Sequence, residues 1–363
     1  MHNYCVILAG GGSQFWPVAR ESKPKAFLSP VPGGETLIQQ TYRRALKLFP
    51  ADKILIVSPA RYRDLILEQF PSIPRENLLL EPYGRGTATS IAFAAYTLLA
   101  RDPEALMAIT PSDHIIRDSE PFYDTIRKAV SYASENDTLL TLGIIPLNPN
   151  INFGYVQVEG GREAYSKGVP VKAKTFTEKP SAELAKVFVD SGEFLWNSGV
   201  FIWKASAIRD EMHSCCPEIT NLWKGWQKVL GSPNEQQFIE RVFSDSPNTS
   251  IDYAVLEKSR NLWVLPSEFE WYDVDSFAGY YEFIPKKDAE GNATQFVEGK
   301  LFLKESTGNI VYSRSAGKLV AIRGLRNFVV FDTDDVLLIA PRDEDVLQDT
   351  FRELSGPEYE EYR

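Results

Sequence analysis

Short apolar runs alternate with amphipathic stretches over the first 145 residues. The runs at residues 4–8, 53–57, 77–80, 106–110 and 138–143 are too short for helices and end in turn residues, which predicts buried strands. Between them, residues 36–49, 60–70, 87–100 and 120–134 repeat apolar positions at helical spacing. Thr36 and Gln39 stand at the spacing of a capping box, which marks a helix start. Alternation of this kind predicts an α/β fold with a mostly parallel, mixed sheet and helices on both faces. Ligands of such sheets bind beyond the carboxyl ends of the strands. The loops after Leu8, Leu80 and Thr110 therefore share one rim.

The pattern changes near Leu147. Asn152-Phe-Gly-Tyr155 reads as a turn into a strand at 155–159, and a second strand at 172–176 is stopped by Pro180. A helix begins near Ser181, and residues 196–203 read as a buried strand with polar residues at its entrance. Residues 205–227 and 234–243 read as helical, with Trp223, Trp226, Phe238 and Phe243 as core. The stretch 250–258 reads as structural, with Asp252 as a candidate pocket residue. Residues 286–292 are charged and look like a linker. Beyond them lie β-like runs at 301–303, 309–312, 318–322, 328–331 and 336–339, punctuated by Gly308, Gly317 and Gly324, then a helix at 343–354.

Composition narrows the classes. At 363 residues, one large domain plus a smaller one is expected. The formal charge of -10 speaks against a nucleic-acid binder, which would carry a basic face. A nucleotide substrate stays allowed, because local lysines can dominate a cleft. No apolar run is long enough to span a bilayer, and the N-terminus lacks the charged region of a signal peptide, so no membrane partner is expected. Three cysteines make no disulfide framework and fit the cytoplasm. His213, Cys215 and Cys216 have no second ligand pair at zinc spacing and read as helix-end residues.

Candidate chemistry begins at Leu8-Ala9-Gly10-Gly11-Gly12. Glycines after a strand let backbone N–H groups approach a phosphate, and a lysine shortly beyond, Lys25, can neutralise its charge. No Lys-Ser or Lys-Thr follows, so this is no Walker loop, and the spacing is not that of a dinucleotide fingerprint. Glu81, in a strand-to-helix loop, suits the paired N1–H and N2–H₂ donors of guanine, and Thr87 can cap the helix that follows. In Pro111-Ser112-Asp113-His114, Asp113 at a strand end suits a hard cation such as Mg²⁺. His114 carries no assigned proton chemistry. Glu178, Lys179 and Asn197 stand at strand ends, where each taken singly reads as strand-end decoration.

Together, Gly10–Gly12 with Trp16-Pro17, Arg20 and Pro24-Lys25, the Glu81 loop, Pro111–His114, Glu178-Lys179-Pro180, Trp196-Asn197-Ser198-Gly199 and Trp271-Tyr-Asp273 resemble the sugar-nucleotide pyrophosphorylases, in their mannose-1-phosphate guanylyltransferase branch. The resemblance covers nearly the whole chain. It implies a Rossmann-like nucleotidyltransferase domain at 1–285 and a β-helix-like domain at 293–363 that helps make a homodimer. It implies transfer of GMP from GTP to mannose 1-phosphate. It places Lys25, Asp113 and Asp273 in catalysis, with Mg²⁺ on the two aspartates. The nucleotide would lie along Leu8, Ala9, Gly10, Gly11, Gly12, Glu81, Thr87 and Ser112. The sugar phosphate would meet Gly154, Tyr155, Glu178, Lys179 and Asn197. Longer members continue into a sugar-phosphate isomerase domain, an activity not expected here. The chain departs from the family at a glycine loop two residues short and lacking its arginine, at Gly86 for asparagine, at Asp275 for glycine and at Phe277 for tryptophan. Two alternatives stay open: a regulatory homologue that binds sugar nucleotides without turnover, which the short loop supports, and a transferase for another hexose or base, since sugar stereochemistry is not readable from the residues.

Overall fold

The computed structural model describes residues 2–11, 15–29, 34–116, 120–273, 281, 287–354 and 356–362. The chain forms two compact units, each assembled from separate segments. The first takes Met1–Ala9, Tyr42–Ser112 and Ile116–Trp271, and the second takes Gly10–Thr41, Asp113–Ile115 and Tyr272–Arg363.

The first unit is built on a nine-stranded mixed sheet. Strands β1 (Asn3–Leu8), β2 (Ile54–Pro59), β3 (Leu78–Glu81) and β4 (Leu106–Pro111) pair in parallel in the order β3-β2-β1-β4. A short strand β5 (His114–Ile116) follows outside this sheet. Then come β6 (Leu139–Ile144), β7 (Tyr155–Val158), β8 (Val171–Thr177), β9 (Phe194–Lys204) and β10 (Leu262–Ser267). They extend the sheet as β9-β6-β10-β8-β7, with β9 antiparallel to β4, β6 and β7. The parallel strands lie under helices and are apolar on both faces, as such strands must be: Val6, Ile7, Leu55 and Ile56 are fully buried. Helix Gly86–Arg101 is buried without interruption from Ala88 to Leu99, so it reads as apolar all round rather than as one stripe.

Residues 205–227 do not form the single helix their pattern predicts. Helix Ala205–Cys215 ends at Cys216 (φ −144°, ψ 64°), and short turns at Pro217–Thr220 and Trp226–Val229 follow. Pro217 offers no N–H to the helix ladder and forces the preceding residue out of the helical region. The aromatic cluster survives the break, with Trp223 stacked on Tyr96 at 4.7 Å between ring centroids.

The last two residues of β11 (Trp271–Asp273), a strand that pairs with β5, begin the final segment of the second unit. The strands β12 (Ala293–Val297), β13 (Lys300–Lys304), β14 (Ile310–Ser313), β15 (Leu319–Arg323), β16 (Phe328–Asp332) and β17 (Leu337–Pro341) then form a small β-helix-like stack. Pairs β12–β14, β14–β16 and β13–β15 are parallel, and β17 closes antiparallel on β16. Asparagines tie successive coils. Asn309 Nδ2 donates to Asn292 Oδ1 (2.8 Å), and Asn309 Oδ1 accepts the Phe328 N–H (2.9 Å). Residues 287–292, expected as a linker, are a hydrogen-bonded turn in which Asp288 Oδ1 accepts the Asn292 N–H at 2.7 Å. Lys286 lies outside the described residues, as do Asp275 and Phe277. The Thr36 capping box is present in both directions: the Gln39 N–H donates to Thr36 Oγ1 (3.3 Å) and the Thr36 N–H to Gln39 Oε1 (3.0 Å).

Gly86 opens its helix at φ +75°, where L side chains are strained, and a Cβ there would lie 2.3 Å from the Thr249 carbonyl oxygen. Gly86→Ala is expected to destabilise the fold by about 1–3 kcal/mol. Urea unfolding of the two proteins measures this, and an unchanged midpoint would show that the backbone yields at no cost.

Candidate active site

The second unit carries a buried cation between two carboxylates. Lys25 opens a single 3₁₀ turn, Lys25–Phe27, directly after Pro24, and is only 7% exposed. Its Nζ lies 3.1 Å from Asp113 Oδ2 and 3.9 Å from Asp273 Oδ1. His114 Nε2 stands 3.7 Å from Asp273 Oδ2. Burial works against ionising Asp113, but the Lys25 ammonium, His114 and hydrogen bonds outweigh it and hold that carboxyl below the usual range. Three residues distant in sequence thus converge: Lys25 from the loop after β1, Asp113 two residues past β4, and Asp273 at the end of β11. Among the described residues, no group of three or more His, Cys, Asp or Glu gathers as a metal site. The aspartate pair supplies two hard oxygen donors.

In the first unit, Ala9, Glu81 and Ser112 stand on one rim, just beyond or at the ends of parallel strands. The Ala9 N–H donates to Val57 O (2.8 Å), and its carbonyl accepts from buried Ser58 Oγ (2.8 Å). The Ser112 N–H is likewise given to Leu8 O at 3.1 Å. Gly10 and Gly11 are exposed, and Gly12 lies outside the described residues. Glu81 is 6% exposed, and burial pushes its carboxyl up to about 7 despite a hydrogen bond from the Ser90 hydroxyl. Thr87 does not cap its helix. Its Oγ1 accepts the Ile251 N–H at 2.9 Å, because the loop is stapled to residues 243–251 through Arg85 and Thr249.

The same unit assembles a second polar cluster from β7, β8 and β9. The Asn197 N–H donates to the Gly154 carbonyl at 2.8 Å. A Cβ on Gly154 would lie 2.5 Å from Glu178 Oε2, so only glycine lets that carboxylate approach the backbone. Asn197 is held from both ends. Its Oδ1 accepts from Thr141 Oγ1 (2.7 Å), and its Nδ2 donates to Asp252 Oδ1 (3.2 Å). The Glu178 N–H donates to Glu257 Oε1 at 3.0 Å. Burial, then the neighbouring Asp252 charge, raises the Glu178 carboxyl, and burial raises Asp252. Lys179 is exposed beside them with φ +44°, an unusual backbone for a residue before proline. Tyr155 contributes only backbone here, since its ring is fully buried and its hydroxyl donates to Asn150 O at 2.9 Å. Glu257 and Thr141 join the cluster without having been site candidates, and Asp252, a candidate pocket residue, lies in it. Asp252 sits in one π-helical turn, Asp252–Leu256, whose side-chain direction no sequence period reveals.

The nucleotidyl transferase family matches residues 4–290. The chain is 35% identical over 355 residues to a mannose-1-phosphate guanylyltransferase of Salmonella muenchen, an alignment spanning 95% of this chain and 71% of that protein. It is 33% identical over 347 residues to the alginate biosynthesis protein AlgA of Pseudomonas aeruginosa, covering 93% and 69% respectively. Among solved structures, a mannose-1-phosphate geranyltransferase from Thermus thermophilus superposes with a TM-score of 0.85 at 27% identity, covering 98% of this chain and 100% of that one.

The Glu81 carboxyl titrates higher in the folded chain, at about 7, than at its ordinary value of 4.5. The folded state therefore holds the proton more tightly, and stability contributed by this group is lost as pH rises between those values. Denaturant unfolding at pH 5 and pH 8 is expected to show a loss in the wild type that Glu81→Gln largely removes. Equal losses in both proteins would contradict the shift.

Proposed function

The chain belongs to the nucleotidyl transferase family, and on that footing we propose that it transfers GMP from GTP to mannose 1-phosphate, giving GDP-mannose and pyrophosphate. The observation that carries this reading is Lys25, buried between Asp113 and Asp273. The curated relatives that are mannose-1-phosphate guanylyltransferases support it.

A phosphate oxygen of the sugar phosphate attacks the α-phosphorus of GTP in line, and pyrophosphate leaves. Positioning and charge neutralisation supply most of the catalysis in such transfers. Lys25 neutralises charge that builds on the α-phosphoryl group and the leaving oxygens. The exposed backbone of Gly10 and Gly11 cradles phosphates. Glu81, once ionised, accepts the N1–H and N2–H₂ donors of guanine, a pair adenine lacks. Glu178 and Asn197 bind sugar hydroxyls, and Lys179 meets the sugar phosphate.

Asp113 and Asp273 suit Mg²⁺, which takes oxygen ligands and typically uses one or two carboxylates, with substrate phosphates and waters completing its shell. When bound, Mg²⁺ supplies further neutralisation of phosphate charge. We assign the protein to the cytoplasm, a reading supported by three free cysteines. No helix among the described residues is long and apolar enough to cross a membrane. For the expected homodimer, Phe302, Leu319, Leu337 and Ile339 offer exposed apolar side chains on the small β stack.

Pyrophosphate release with Mg²⁺, crossing GTP, ATP and dTTP against mannose and glucose 1-phosphates, tests the reading. Turnover is expected only with GTP and mannose 1-phosphate. No release with any pair, while GDP-mannose still binds in calorimetry, would make the protein a binding homologue. Asp113→Ala should lower turnover by roughly a hundredfold or more, measured well below a melting temperature that also falls, because the buried Lys25 loses one of its carboxylates. Full activity in that variant would remove Asp113 from the chemistry.

A further inference from the structure

Arg20 and Trp16 belong to the signature stretch, yet their side chains turn toward residues more than 300 positions later. Arg20 is a guanidinium with only 14% of its side chain exposed. It donates to Asp335 Oδ1 (2.7 Å), to Thr333 Oγ1 (3.5 Å), to its own loop at Pro17 O (2.8 Å) and to the Tyr362 carbonyl. Trp16 Nε1 donates to the same Tyr362 carbonyl at 2.6 Å. Its indole is 8% exposed and packs against Phe351 at 6.5 Å between ring centroids. Two donors on one carbonyl, with an ion pair beside them, fix the segment Pro357–Tyr362 to this loop.

The connection continues to Lys25 through the backbone. The Arg20 N–H donates to Lys23 O (3.2 Å) and the Lys23 N–H to Arg20 O (3.0 Å), closing a tight loop. Pro24 follows, and its carbonyl accepts the Phe27 N–H at 2.9 Å. Only this tight loop and Pro24 separate the guanidinium anchor from the turn that carries Lys25. All of these residues lie within the second unit.

We propose that Arg20 is a positioning residue for Lys25, latched by Asp335 and by the segment Pro357–Tyr362. The small β stack therefore acts on the chemistry through this loop. Arg20 touches no substrate in this scheme. It sets where the Lys25 ammonium stands, and errors near 1 Å in such a group cost up to about a hundredfold in rate. The proposal rests on the reading of Lys25 as the charge-neutralising group.

The experiment compares Arg20→Ala, Arg20→Lys and a chain stopped after Gly356, singly and with Arg20→Ala combined with the truncation. Steady-state kinetics is paired with the rate at which an amine reagent labels Lys25, read by peptide mass mapping. Arg20→Ala should lower kcat by roughly ten- to a hundredfold while KM for both substrates changes little, and Lys25 labelling should rise. Arg20→Lys should recover part of kcat. The truncation should cost less, because Asp335 remains, and should add less in the Arg20→Ala background than in the wild type, since the two share one interaction. If Arg20→Ala does not fold, the truncation and Arg20→Lys carry the test. Unchanged kcat with unchanged labelling would overturn the proposal, as would equal, fully additive losses. If the wild type turns over no substrate pair, labelling alone decides: the latch stands when Lys25 becomes reactive, even though the transferase reading has failed.

Discussion

An ammonium cannot be buried alone. Taking it out of water costs several kcal/mol unless opposite charge and hydrogen bonds meet it. Lys25 satisfies that requirement with two aspartates drawn from other parts of the chain, Asp113 and Asp273. The requirement runs both ways, because the aspartates are themselves largely enclosed and Lys25 helps keep Asp113 ionised. A strand end, a 3₁₀ turn and a two-strand ladder must therefore all be in place together. The same arrangement suits chemistry on phosphates, where a fixed positive charge costs no reorganisation when negative charge develops.

The carboxyl cluster of the first unit obeys the opposite constraint. Glu178, Asp252 and Glu257 crowd together, and burial with mutual repulsion raises Glu178 and Asp252. Such a group binds protons readily and can both donate to and accept from hydroxyls. Asn197 is clamped between Thr141 and Asp252, so it presents a fixed amide rather than one free to flip. Gly154 makes the cluster sterically allowed.

The small β stack has its own core, with Ile310, Val329 and Phe331 fully buried. Trp16 and Leu37 belong to that core although they come from the start of the chain. Residues of the signature stretch are thus also packing residues.

The sequence alone determined the strand–helix alternation, the β-rich end, the family and the short list of polar residues. These follow from local causes: apolar period, glycine and proline punctuation, and residue types whose chemistry is restricted. Thr36 and Gln39 form their capping box because both partners lie within one turn. Tertiary structure decided what depends on distant partners. Thr87 gave its hydroxyl to Ile251 instead of to its own helix, and Tyr155 turned its ring into the core. The Ala9 N–H found Val57, and its carbonyl Ser58. Asp252 entered the carboxyl cluster from a π turn, and Arg20 found Asp335 and Tyr362 far along the chain. In each case a buried polar group required a partner, and which partner lay in reach was set by the folding of the chain rather than by spacing along it.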